Sequence, residues 1–306
     1  YILIANLAAS LIQFLMVSPE LRIRFTFDRV LLRKMFQYSF PILILGIAGI
    51  LNQTIDKIVF PWLYPDTANA FTELGIYGQN FKIAIIMVMF TQAFRYAFEP
   101  FIFARNKEAS DDRQSFSDAT RYFIIFGLLI FLVTTGYIDI IKYLIPATYY
   151  EGLKVVPIVL LGELFFGVYF NLSLWYKLTD QTRWGAYISM IGFAITLLLN
   201  ILFIPHFSYM ACAWASFIAN LTMVLISYFL GQKNYPIPYN LKSAGSFFLL
   251  SMILFGGIAF AYLNVGSVWL RLGINTVLIV IYLSVVVKKE LPLRHWPLIG
   301  KYFRKN

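Results

Sequence analysis

The sequence predicts an all-α protein, a polytopic transmembrane helical bundle of about nine spans. Three observations carry that expectation. Apolar residues make up 60% of the 306 residues and charged residues only 13%, against a charged share of about 25% in soluble domains. Uncharged runs of roughly 18 residues or more, long enough to cross a bilayer, recur from end to end. The basic residues fall almost entirely on one side of the spans that those runs define, as they do in loops beside membrane helices. Strands of a membrane barrel would alternate apolar and polar residues over about 10 positions, and these runs do not alternate.

The first span covers 1–17. The chain begins at Tyr1 inside that apolar run and shows no signal-peptide order, so it reads as the later part of a longer polypeptide. Residues 18–39 read as a cytoplasmic amphipathic linker: Phe27, Leu31, Met35 and Tyr38 recur at helical spacing, and Arg29, Arg33 and Lys34 are free to meet headgroups. A second helix is expected near 40–62, with Pro41 in its first turn, where a missing N–H costs nothing. A third follows near 76–98. Segment 99–120 is polar and mixed in sign (Glu108, Asp111, Asp112, Arg113, Asp118) and reads as a solvated loop. Further helices are expected near 121–141, 153–176, 184–205, 209–230, 242–263 and 266–287, with Pro205 ending the third of these six. The tail 288–306 mixes Trp296, Tyr302 and Phe303 with basic residues, a composition suited to the inner membrane surface.

Counting Lys and Arg gives the orientation. The side reached after the first span, called the basic face below, carries 19 of the 25 basic residues, among them Arg22 to Lys34, Arg105 to Arg121 and the tail. The opposite face carries only Lys142, Lys154 and Arg271, and Lys57, Lys82 and Arg95 fall within spans. The basic face is expected to be cytoplasmic, with the C-terminus there.

Several functions are excluded. One cysteine, Cys212, forms no internal disulfide, and two histidines, His206 and His295, make no metal cluster. The net charge of +10 lies in short pieces between spans, where lipid headgroups rather than nucleic acid are the expected partner. No nucleophile with a base at motif spacing, catalytic carboxylate pair or phosphate-cradling glycine loop is present, so neither enzymatic chemistry nor a resident cofactor is expected.

Function is sought in polar groups at depth, because an ionisable side chain at mid-bilayer costs at least ~2.5 kcal/mol. Asn52, Gln53, Asp56 and Lys57 form a patch on the second helix, with Asp56 about 24 Å from Phe40 by helical rise. Lys82 enters the next helix from the same side, roughly 9 Å deep. Asp56 and Lys82 therefore either line an outward cavity or pair with each other; Lys57 is near enough to the end to snorkel. Arg95 and Glu99, one turn apart, read as a structural ion pair or as a substrate-release contact, and Arg95 stands about 140° around the helix from Lys82. Glu163, about 15 Å into its helix, is either a proton or sodium coupling site or a packing acid. Asn171, Asn200 and Asn220 read as interhelical hydrogen bonders.

The order of these features resembles a known family. A basic linker leading to Tyr38-Ser39-Phe40-Pro41, then Leu51-Asn52-Gln53-Thr54-Ile55-Asp56-Lys57, then Leu74-Gly75-Ile76-Tyr77-Gly78 running into Phe81-Lys82-Ile83-Ala84, and Glu99-Pro100-Phe101, is similar to the polysaccharide flippases. These belong to the multidrug/oligosaccharidyl-lipid/polysaccharide exporter superfamily. The resemblance implies a division into the last helix of a missing first lobe (1–17), the linker (18–39), a six-helix second lobe (40–230), two added helices (231–287) and a basic tail (288–306). It implies alternating-access transport of a polyprenyl-pyrophosphate-linked oligosaccharide, an O-antigen or capsular repeat unit, across a bacterial inner membrane, beside other polysaccharide-assembly proteins. Lys82, Asp56, Lys57 and Asn52 would contact substrate, and Glu163 would couple H+ or Na+. The rivals are an ion-coupled multidrug exporter, an integral-membrane glycan polymerase or transferase, and a non-transporting assembly subunit whose buried charges would all be paired.

Overall fold

A computed structural model of the chain describes residues 2–18, 28–107 and 113–290, without the side chains of Ile2, Glu99 and residues 101–107. Its elements are α1 (Ile2–Val17), α2 (Arg29–Leu63), α3 (Ala70–Lys107), α4 (Arg113–Gly136), the single turn α5 (Ile138–Ile141), α6 (Val156–Leu172), the short α7 (Leu174–Leu178), α8 (Arg183–Phe207), α9 (Tyr209–Asn234), α10 (Leu241–Asn264) and α11 (Val268–Glu290). Tight 3-10 turns occupy Lys142–Leu144 and Ala147–Val155. Among the described residues eight stretches are long and apolar enough to cross a membrane, and Leu3–Val17 is a shorter apolar helix. The chain is a multi-pass membrane protein with the helical-bundle fold that the sequence predicts.

Two compact units are present, 1–40 and 41–306. In the first, the Asp28 carboxylate accepts the backbone N–H groups of Val30 and Leu31 at 2.8 and 3.2 Å, capping the start of α2. The helix therefore begins at Arg29 and not near 40, and the second half of the expected linker is its first three turns. Phe27 and the basic residues Arg22 and Arg24 lie outside the described residues. Pro41 consequently sits inside a helix, where its missing N–H leaves the carbonyl one turn earlier without its usual donor. The loop expected over 99–120 is also largely helical, since α3 runs to Lys107 and α4 starts at Arg113. A helix satisfies its own backbone in water as well as in lipid. Hydropathy therefore locates the hydrocarbon-crossing part of a helix and not its end.

In the second unit α6 is the most buried span. It packs against α9, α3 and α4, α8 packs on α9, and α10 and α11 pack on α4 and on each other. Two glycines make the closest approaches on α6. A Cβ at Gly162 would sit 3.4 Å from the backbone of Phe217 on α9, and one at Gly167 would run into the Phe123 ring and the Thr91 hydroxyl. Small residues let membrane helices meet backbone to backbone. One continuous apolar core takes in Tyr77, Phe131, Leu160 and Ile204 together with Phe247, Leu254, Ile279 and Tyr282 of α10 and α11.

Full charges tie α11 to α4 at one end and to the turn α5 at the other. On the face opposite the basic one, the Asp139 carboxylate receives Lys142 at 3.1 Å and Arg271 at 3.0 Å. That bond pushes the Lys142 ammonium up from its ordinary pKa. At the basic face Glu290 meets Arg121 at 3.4 Å and accepts from the Ser243 hydroxyl at 3.1 Å. Between them the Asn275 amide donates to the Gly136 carbonyl (2.8 Å) and the Tyr282 hydroxyl to the Ile125 carbonyl (2.9 Å).

Candidate functional site

The polar patch of α2 lies on its buried stripe, Ala48, Asn52, Asp56 and Phe60. Asn52 is the meeting point of three helices. Its amide donates to the Asn220 carbonyl oxygen on α9 at 3.1 Å, its own carbonyl oxygen accepts from the Thr196 hydroxyl on α8, and Asn220 donates onward to the Gly162 carbonyl on α6 at 3.1 Å. Asn52, Thr196 and Asn220 are all buried, so each bond replaces one that water would otherwise make.

The register of this seam is set by two contacts. A Cβ at Gly185 would strike Leu45, and Asn52 meets Thr196; the two helices therefore run in parallel. One turn further on, the next buried residues of the two stripes are Asp56 and Asn200. Neither polar atom of the Asn200 amide has a hydrogen-bond partner, although the residue is fully buried.

Asp56, Tyr77 and Asn200 each stand seven residues from the helix end nearest the face opposite the basic one, about 10 Å at the helical rise, and Glu163 lies within electrostatic range of Asp56 and Tyr77. They form a layer. Asp56, 1% exposed, accepts the Lys57 ammonium at 3.3 Å and the Lys57 backbone N–H at 2.8 Å. The ammonium also donates to the Gln53 carbonyl (3.0 Å) and lies 4.4 Å from the Phe81 ring centre and 5.5 Å from that of Tyr77. The buried Tyr77 hydroxyl faces Asp56. Glu163 is 7% exposed and makes no hydrogen bond or ion pair among the described residues, yet it lies within electrostatic range of both Lys57 and Asp56. Cys212, buried on α9, faces the same two charges.

The other predicted residues fall elsewhere. Lys82 is twelve residues into α3, because that helix starts at Ala70 and not near 76. It is therefore about 7 Å deeper than Asp56, and the two make no ion pair. Lys82 is exposed, bonded only to Gln79 of its own helix at 2.9 Å, on a face with exposed Ile85, Ile86 and Met89. Arg95 is turned toward α6, its guanidinium 5.0 Å from the Phe170 ring centre, and the Glu99 side chain of the expected pair lies outside the described residues. Asn171 bonds the Gly167 carbonyl of its own helix rather than another helix. Thr196 was not singled out by sequence, and Tyr77 entered only as part of the Leu74 to Gly78 motif. The spacing Gly192, Thr196, Asn200, matching Ala48, Asn52, Asp56, was the available signal.

Two carboxylates, an amide and a phenol at one depth, with a single ammonium among them, leave one negative charge in excess when both acids are ionised. Chemically, a proton or a small monovalent cation would balance that excess. Among the described residues no group of three or more His, Cys, Asp or Glu gathers, so the layer is not an evident divalent-metal centre.

The solved structure of the lipid II flippase MurJ in an inward closed conformation matches this chain with a TM-score of 0.54 and 18% sequence identity, over 90% of this chain and 59% of that chain. The likeness concerns the fold, and this chain spans 59% of the flippase it matches. No family model and no curated protein matches the sequence.

Proposed function

We propose that the chain is the C-terminal part of a flippase that moves a polyprenyl-pyrophosphate-linked oligosaccharide, such as an O-antigen or capsular repeat unit, from the inner to the outer leaflet of a bacterial inner membrane. The basic face is cytoplasmic in this reading. The carrying observation is Lys82: an ammonium at mid-span on an exposed helix face, with no carboxylate partner. Facing hydrocarbon it would cost at least ~2.5 kcal/mol; lining a water-filled path it meets an anionic pyrophosphate at no such cost. The likeness to the fold of a lipid-linked-substrate flippase supports the same class. The unpaired Glu163 weighs against an assembly subunit whose buried charges are all matched.

The proposed division of labour follows. Lys82 contacts the substrate anion. Asp56, with Lys57, Asn200 and Glu163, forms the layer that takes up H+ or Na+, while Asn52 holds α2 against α8 and α9. Neutralising the layer removes its excess buried charge, so ion uptake favours the closed seam. The test is glycan export by the full-length protein: Lys82→Ala lowers export about tenfold, the scale of one charge-assisted contact, and Lys82→Arg retains it. Wild-type export by Lys82→Ala would remove this residue from the path. An ion-coupled drug exporter would use the same acid layer, and drug efflux unaccompanied by glycan export would favour it.

A further inference from the structure

A cavity of about 400 Å3 opens between the far end of α10 and the turns that lead into α6. It lies away from the layer described above. Phe255, Ile258 and Ala259 of α10 and Val156 and Pro157 of α6 wall it, so its interior suits hydrocarbon. Its volume is in the range of pockets that enclose small ligands, ~300–1,000 Å3. Tyr150 and Tyr262 stand on its rim, residues that collect at headgroup level. The mouth carries one cation and one anion, Lys154 and Glu151, both well exposed and only loosely paired at 3.9 Å. The neighbouring cations Lys142 and Arg271 are already taken by Asp139. The Lys154 ammonium also lies 5.3 Å from the Tyr209 ring centre, and Glu73, which acts on it from further away, is bonded to the Ser208 hydroxyl at 2.7 Å. The charges that line the cavity itself are therefore one of each sign.

We propose that this cavity holds one acyl chain of a bilayer phospholipid with a zwitterionic, hydrogen-bonding headgroup, its phosphate on Lys154 and its primary ammonium on Glu151. A phosphoethanolamine lipid meets both groups. A phosphoglycerol lipid leaves Glu151 facing net negative charge, and a phosphocholine lipid has no N–H to donate to it. The bound lipid fills the gap between α10 and α6, so that α10 and α11 are held to the lobe by lipid as well as by their two charge clusters.

The experiment uses the full-length protein in vesicles of phosphatidylethanolamine and phosphatidylglycerol containing a phosphatidylethanolamine with a photoactivatable acyl chain, and reads the labelled residues by mass spectrometry. Label is expected on α10 and the start of α6, and unlabelled phosphatidylethanolamine should compete about tenfold better than phosphatidylglycerol or phosphatidylcholine, the scale of one charge-assisted hydrogen bond. Ala259→Trp, which fills the cavity, should abolish the label while melting as the wild type does. If that variant does not fold, Glu151→Gln, at an exposed position, should erase the headgroup preference. Equal competition by phosphatidylglycerol, label unchanged in both variants, or label from a polyprenyl-phosphate probe alone would overturn the proposal. None of these outcomes depends on whether glycan export is detected.

Discussion

Where α2 meets α8 and α9, the contacts at mid-span are uncharged amides and hydroxyls, Asn52, Thr196 and Asn220; where α4 and α5 meet α11, full charges stand at the two ends of that helix, Asp139 with Arg271 and Glu290 with Arg121. The difference follows the dielectric. An ion pair near a headgroup region loses less hydration than one at mid-span, so it costs less to form there. At mid-span an amide bonds without that cost. The second difference is one of satisfaction. Around Asp139 both carboxylate oxygens have partners, and the atoms left over at that seam include Nε of Arg271 and of Arg121, whose side chains are bonded through their other nitrogens. Beside Asn52 the whole Asn200 amide is left over. An amide without any partner is completed by something else or rearranges. The Asp139 seam is the holding one, and the Asn52 seam has, in that amide, the make-up of a moving part.

The largest expected effect breaks the holding seam. Arg271→Ala leaves the buried Asp139 with Lys142 alone and should lower stability by about 3 kcal/mol, read as a lower melting temperature in detergent; an unchanged melting temperature would mean the clamp contributes nothing. Asn52→Ala removes two interhelical bonds and should cost about 1–2 kcal/mol at ~0.6 kcal/mol or more per bond, measured in the same assay. Asn200→Leu sharpens the contrast. Removing a buried amide that has no partner should leave stability within about 0.5 kcal/mol of wild type or raise it, while the proposed ion-dependent export falls. A destabilisation as large as that of Asn52→Ala would show that Asn200 is bonded in the folded protein and does not belong to an incomplete layer.

Much of this was legible before any coordinates. Long uncharged runs placed every span, and Asn52, Asp56 and Glu163 stood out because few residues in such runs are polar. Helix ends were less legible. Arg29 starts α2 because Asp28 caps it, a short-range bond that hydropathy does not register, and α3 starts at Ala70, six residues before the apolar run suggested. That shift moved Lys82 away from the level of Asp56 and removed the pairing that sequence had left open. Partners across helices were not legible at all. Asn171 and Asn220 are the same residue type in similar surroundings, yet one bonds its own helix and the other bonds two neighbours.

Sequence by itself determined that this is a multi-pass helical bundle, because lipid accepts only segments that satisfy their own backbone and cover it with apolar side chains, a requirement each segment meets alone. The tertiary structure decided which buried polar groups are bonded and which are left over. Those partners lie on different helices, often more than a hundred residues apart, such as Asn52 and Asn220. Their meeting depends on the rotation and register that packing at positions such as Gly162 and Gly185 imposes, and no local pattern in the chain encodes it.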